Sequence, residues 1–138
     1  MALTIRDVAD ADEAQLVALW RDAGVSRPWN DPARDIAFAR SSSHSTVLVG
    51  VDAGRVVASA MVGEDGHRGW VYYVAAVTEQ QGQGLGRAMM DAAEAWLVAR
   101  GIWKMQLLVR ADNAKARGFY ERLGYRDTQT TCFQKEIG

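Results

Sequence analysis

Gln81-Gly82-Gln83-Gly84-Leu85-Gly86-Arg87 sets three alternate glycines between an apolar run, Trp70-Val71-Tyr72-Tyr73-Val74-Ala75-Ala76-Val77, and a long amphipathic segment. Glycine lets a backbone turn tightly with no Cβ in the way. Successive N–H groups can then face one anion, and the start of the following helix adds the positive end of its dipole. The loop therefore reads as a strand-to-helix turn suited to a pyrophosphate. A glycine-rich turn with no ligand is the alternative when the loop is taken alone.

Spacing excludes the two commonest nucleotide motifs. A dinucleotide fingerprint needs G-x-G-x-x-G and an acid about 20 residues on. Here the third glycine, Gly86, comes one position early, and Arg100 and Gly101 stand near the place of the acid. A Walker loop needs four residues between its glycines followed by Lys-Ser or Lys-Thr, a run found nowhere in the chain.

With 138 residues and 49% hydrophobic content, the chain has the size of one domain with a full core. Its formal net charge of −1, with both signs interspersed, offers no field for a nucleic acid backbone. A single cysteine, Cys132, allows no internal disulfide. No apolar run reaches the roughly 18 residues of a membrane helix, and Met1-Ala2-Leu3-Thr4 lacks signal-peptide character. The expectation is a soluble, cytoplasmic protein that partners neither nucleic acid nor membrane.

Outward from the loop, Leu85, Ala88, Met89, Ala92, Ala93, Trp96 and Leu97 keep helical spacing over three turns, and Gly101 stands where a helix-ending glycine belongs. Upstream, Trp70 to Val77 is apolar on both faces and predicts a central buried strand. Thr46 to Val51 and Arg55 to Val62, separated by Asp52-Ala53-Gly54, predict an antiparallel hairpin. Leu3 to Val8 predicts a first strand. Asp10 or Asp12 could cap a helix bearing Leu16, Leu19, Trp20 and Ala23 that ends at Gly24, and Asn30 or Asp31 a second helix to about Ser41. Downstream, Lys104 to Val109 predicts a strand, Asn113 caps a helix through Leu123 that ends at Gly124, and Tyr125 to Lys135 supplies closing strands. This order implies one mixed sheet covered by helices.

Gln81-x-x-Gly84-x-Gly86 after a buried strand resembles motif A of the GCN5-related N-acetyltransferases, the GNAT superfamily. Asn113-x-x-Ala116-x-x-Phe119-Tyr120-x-x-Leu123-Gly124-Tyr125 resembles that family's motif B, at the usual separation. The two motifs span residues 74 to 125, and the element order extends the likeness along the chain. A nearer likeness, to the small bacterial YpeA-type acetyltransferases, rests on Arg27-Pro28-Trp29-Asn30-Asp31-Pro32, on Asp65-Gly66-His67-Arg68-Gly69 and on Tyr72-Tyr73.

The resemblance implies an α/β (α+β) GNAT fold in a single domain, residues 1–138. Its mixed, mostly antiparallel sheet would have six or seven strands, with about four helices and a V-shaped splay between the two central strands. It implies transfer of the acetyl group of acetyl-CoA directly to a primary amine, with no metal, and leaves room for a homodimer. Backbone of Gly82, Gln83, Gly84, Leu85, Gly86 and Arg87 would cradle the coenzyme pyrophosphate, although Leu85 also reads as a core residue. The edge of Val74, Ala75 and Ala76 would pair with pantetheine, and a backbone N–H near Ala76 would meet the oxyanion. Asn113 would bond pantetheine or serve only as a helix cap. Tyr120 would be the general acid toward the departing thiolate, against a core role beside Phe119. Arg27, Trp29, Asn30 and Tyr72 would wall the acceptor site, against roles as caps and staple.

The chain also departs from the family pattern. Positions that many members fill with a catalytic glutamate hold Trp70 and Leu108 here. The ribosomal-protein alanine acetyltransferases, which share a run like Val109-Arg110-Ala111, have glutamate where Leu108 stands, which weakens a peptide N-terminus as acceptor. Glu64, Asp65, His67, Tyr72 and Tyr73 are the remaining base candidates, against a merely solvated hairpin turn. Thr78 replaces a common proline. Cys132 lies outside the motifs, so no acyl-enzyme is implied. A rival class is an acyl-CoA-binding sensor or interaction module with the same cleft and little turnover.

Overall fold

The most regular apolar spacing of the chain becomes its longest helix, α3 (Leu85–Val98), in the computed structural model, which describes residues 2–138. Leu85, Met89, Met90, Ala93 and Leu97 form its buried stripe, and Gly101 follows with φ +79°. The chain divides into two units, residues 1–108 and 109–138.

In the first unit, β1 (Thr4–Asp7), β2 (Ser45–Asp52), β3 (Arg55–Glu64) and β4 (Gly69–Ala76) are neighbours in that order, each antiparallel to the last. The strand β5 (Met105–Gln106) joins β4 in parallel. The β2–β3 hairpin closes through Ala53 and Gly54, at φ +50° and +77°, the two left-handed residues of a tight hairpin turn. Helix α1 (Glu13–Asp22) covers one face of the sheet, where Trp20 bonds Ser59 of β3. On the same face α2 (Pro32–Arg40) accepts a hydrogen bond from Ser45 of β2 at the Ala39 carbonyl. Asp31 caps α2 by accepting from the Arg34 N–H, and Gly24 follows α1 with φ +75°. The opposite face carries α3. There the missing Cβ of Gly69 would fall 2.8 Å from Leu97 Cδ2 and 3.1 Å from its Cγ. Gly69→Ala is therefore expected to cost about 1–3 kcal/mol by prising α3 off β4, read as a lower denaturation midpoint.

Three expectations need correction. Among the described residues the sheet has five strands rather than six or seven. Lys104 to Val109 yields only the two residues of β5, and Tyr125 to Lys135 forms no strand. In that stretch Asp127 accepts the Gln129 N–H, and Gln129 takes φ +59°, a local side-chain turn that breaks the extended backbone there. Next, β4 is not a buried central strand. On its outer edge β5 pairs only with Gly69 and Trp70, and Tyr72 is exposed. Finally, Asp12 stands at the N-cap of α1, but neither its side chain nor that of Asp10 caps the helix. Residues Asp10–Asp12 form a 3-10 turn, and the Asp12 carboxylate turns back to accept from the Ala9 N–H and from both Arg6 guanidinium nitrogens, at 2.6 and 3.1 Å.

The Arg6 hydrogen bonds, together with that Ala9 N–H, hold the buried Asp12 carboxyl below its usual range against the cost of burial. Because its folded-state pKa is depressed, this pair stabilises the fold fully above the ordinary carboxylate range, about 4. That contribution fades as pH falls through the depressed value. Asp12→Asn should lower stability at neutral pH and flatten the acid limb of a denaturation-midpoint profile.

The second unit contains α4 (Ala114–Arg122). Asn113 caps it by accepting from the Ala116 N–H at 3.0 Å, and Gly124 follows with φ +96°.

Candidate functional site

Helix α3 begins at a left-handed glycine. Helices α2 and α4 begin at side-chain caps, whereas the N-cap of α3 is Gly84, which has no side chain to cap with and stands at φ +82°. No acidic residue occupies the first turn of α3. Gly82, at φ +84°, makes a second left-handed turn just before it. A Cβ placed on either glycine would meet no atom within 4 Å, so both face open space. Gly82, Gln83, Gly84 and Arg87 are exposed, whereas Leu85 is 3% exposed and belongs to the core. An uncapped helix end of this kind presents N–H groups and positive dipole with room for an anion.

The loop is reached from β4, whose two edges differ. On the inner edge, the Val77 N–H donates to the Val57 carbonyl at 2.9 Å, and Ala75 and Ala76 pair with Ser59 and Ala58. By the alternation of an antiparallel ladder, the backbone groups of Ala76 point to the outer edge. On that edge only Gly69 and Trp70 pair with β5, at Met105 and Gln106. Past them the two strands share no ladder, so the outward backbone groups of Val74 and Ala76 find no partner in β5. That two-residue pairing lies at the β4–β5 end of the sheet rather than between two central strands.

A bulge interrupts β4 past its pairing with β5. Ser59 opposes Ala75 and Met61 opposes Tyr72, so Tyr73 and Val74 together face the single residue Ala60. Tyr73 takes φ +51°, a conformation that costs a bulky residue about 1–3 kcal/mol. Its ring lies parallel to that of Trp20, with centroids 3.7 Å apart and planes 6° apart. The Trp20 indole N–H donates to Ser59 Oγ, which donates to the Tyr73 carbonyl, both at 2.8 Å. The Tyr73 hydroxyl donates to Asp35 Oδ2 on α2 at 2.6 Å. Burial, then this carboxylate, push the Tyr73 phenol well above its ordinary pKa. Trp20 and Ser59 are fully buried. Sequence reading took Trp20 only as an apolar helix position. Its link to Ser59, 39 residues on, has no local signal.

The other candidates occupy distinct settings. Trp70 and Tyr72 stack loosely, with centroids 6.5 Å apart. The Asp65 carboxylate accepts the Arg68 and His67 N–H groups and the Trp70 indole N–H. The backbone bonds to Arg68 and His67 chiefly hold its pKa down. Glu64 opposes Gly69, where β5 is still paired, and so shares the α3 face. One of its oxygens bonds His44 Nδ1 at 2.9 Å, and the other is buried without a partner among the described residues. Asn30 accepts the Arg27 N–H through Oδ1, Trp29 is 70% exposed, and Leu108 is exposed.

Asn113 and Tyr120 lie in the second unit. The side-chain oxygen of Asn113 is engaged in the cap of α4. The ring of Tyr120 meets Phe119 at 4.9 Å and Tyr125 at 6.1 Å, both edge-on, and burial raises its phenol pKa.

Residues 10–125 match the Acetyltransferase (GNAT) family, and the chain belongs to that family. Solved structures agree in fold across nearly the whole chain. A transcriptional regulator from Bacillus halodurans C-125 is 19% identical with a TM-score of 0.85, over 99% of this chain and 100% of that one. The aminoglycoside N-acetyltransferase AAC(6')-Iy, solved with the bisubstrate analog CoA-S-monomethyl-acetylneamine, is 12% identical with a TM-score of 0.85 over the whole of both chains. Glucosamine-6-phosphate N-acetyltransferase from Arabidopsis thaliana is 18% identical with a TM-score of 0.78, over 98% of this chain and 99% of that one.

Proposed function

We propose that this chain is an acyl-CoA-dependent N-acetyltransferase, its 138 residues acting as one domain, that moves the acetyl group of acetyl-CoA directly to a primary amine of a small metabolite or a protein. The observation that carries the reading is the uncapped, left-handed glycine start of α3, set after a strand whose outer edge pairs with β5 only at Gly69 and Trp70. A pyrophosphate held by N–H groups of Gly82 to Arg87 leaves pantetheine to run along Val74–Ala76 as an added strand would. The family match spans both units, which supports a single working domain. The motifs Arg27–Pro32, Asp65–Gly69 and Tyr72-Tyr73 support the nearer kinship to the YpeA-type enzymes.

In the reaction, the lone pair of a neutral amine attacks the thioester carbonyl and the C–N bond forms. A backbone N–H near Ala76 steadies the oxyanion. The C–S bond then breaks, Tyr120 protonates the departing thiolate, and the amine proton is lost to a base. Asp65, stabilised as its carboxylate by three donors, and Tyr73, committed to Asp35, are both poor bases. Glu64, His67 and Tyr72 are left. Arg27, Trp29, Asn30 and Tyr72 would contact the acceptor, and Asn113 pantetheine.

The test is thermal unfolding with acetyl-CoA, with NAD and ATP as controls. At 100 times its Kd, a ligand that binds only the folded state adds about 2.7 kcal/mol, a rise of roughly 8 °C for a domain of this size. A shift with acetyl-CoA alone is expected, and no shift at millimolar coenzyme would overturn the reading. Trp70 and Leu108 at the glutamate positions favour a second reading, an acyl-CoA sensor. Its mark would be the same thermal shift without release of CoA thiol in the presence of any amine.

A further inference from the structure

We infer that Trp20, Ser59, Tyr73 and Asp35 form a clamp that fixes the β4 bulge, and through it the direction of the outward backbone N–H groups of Val74 and Ala76 at the acyl carbonyl. The inference rests on the coenzyme reading above and gives these four residues positioning roles within it.

A tyrosine at φ +51° does not hold that conformation on its own, because its Cβ crowds the backbone. Here three elements hold it from three sides. Helix α1 supplies the flat Trp20 surface under the ring, β3 supplies Ser59 to the carbonyl, and α2 supplies Asp35 to the hydroxyl. Trp20 also bonds Ser59, so stack and carbonyl anchor are one connected unit, with two of its members fully buried. The anchored carbonyl belongs to the peptide that joins Tyr73 to Val74. Rotation of that peptide would release the Ser59 bond and, with the same motion, swing the Val74 N–H. The clamp therefore governs the acyl end of the coenzyme site. The glycine loop, which would hold the pyrophosphate, contacts none of its members through these bonds. Coenzyme anchoring and acyl recognition should then be separable.

The experiment measures the ratio of Kd for CoA to Kd for acetyl-CoA by calorimetry, which needs no knowledge of the acceptor. The two ligands share the pyrophosphate and pantetheine, so the ratio isolates the contact to the acyl group. A ratio of about 5 or more is expected in the unmodified protein, a coupling of about 1 kcal/mol. In Asp35→Ala and Tyr73→Phe it should fall toward 2, and in Ser59→Ala toward 1, with Kd for CoA unchanged within twofold. Asp35→Asn keeps an acceptor oxygen for the tyrosine hydroxyl and should retain the full ratio. Asp35 lies on a surface helix, so the Asp35 pair tests the inference even if Ser59→Ala proves unstable. A purely structural role would lower the denaturation midpoint and leave the ratio untouched. Such a result, or a ratio of 1 in the unmodified protein, overturns the clamp while the coenzyme reading stands. Failure of the unmodified protein to bind CoA at all would instead overturn that reading.

Discussion

Gly84→Val is expected to weaken acetyl-CoA binding by about 100-fold, close to 2.7 kcal/mol, while the protein still folds. The valine side chain would project into the open space in front of the first turn of α3, where a phosphate must lie to reach the N–H groups. Valine also resists the left-handed φ of +82° and pulls the turn away from the cradle geometry. The same strain costs the fold about 1–2 kcal/mol, a drop of roughly 3–6 °C in midpoint. Gly66 provides the control. It stands at φ +81° in the β3–β4 turn with nothing within 4 Å of its Cβ position, so Gly66→Val carries equal strain away from the loop and should leave affinity unchanged. If Gly84→Val binds acetyl-CoA as tightly as the Gly66 variant does, the loop is not the coenzyme site.

Tyr120→Phe should lower kcat about 100-fold with Kd for acetyl-CoA within threefold, the pattern for losing a proton donor used only as the thiolate departs. The ring contacts to Phe119 and Tyr125 survive the change, so the local packing is kept. The pH profile adds an independent check. Burial raises the Tyr120 phenol above its ordinary value, about 10, so the group stays protonated and able to donate throughout the neutral and mildly alkaline range. Rate loss from Tyr120 ionisation should therefore appear only above that value, and the phenylalanine variant should lack this alkaline limb. A variant with full turnover would remove Tyr120 from the mechanism. The two substitutions are complementary, since Gly84 reads binding and Tyr120 reads the chemical step.

Much of this protein was legible in one dimension because the signals are local. The apolar stripe of α3, the caps Asp31 and Asn113 and the helix-ending Gly24, Gly101 and Gly124 act within one or two turns of chain. So do the Ala53-Gly54 hairpin turn and the glycine loop itself, and the structure reproduces each near its expected position. The loop's backbone geometry follows from residue type alone, since only glycine takes φ near +80° without strain.

What required tertiary structure depends on partners distant in sequence. The β-propensity of Lys104 to Val109 did not tell that pairing with β4 would stop after two residues. Asp12, a good cap by residue type, was claimed by Arg6 of β1 because a bidentate ion pair with a backbone N–H added outweighs a cap bond. Tyr73 has no local reason to leave the extended region. It does so because α1, α2 and β3 converge on it, and a strained residue persists only where its surroundings over-determine it. Sequence by itself determined the helices, two of their caps, the β2–β3 hairpin and the left-handed glycine turn before α3, through short-range backbone sterics and hydrogen bonding. Only the tertiary structure decided where the sheet stops pairing and how β4 is bent, because those depend on which side chains meet across the fold.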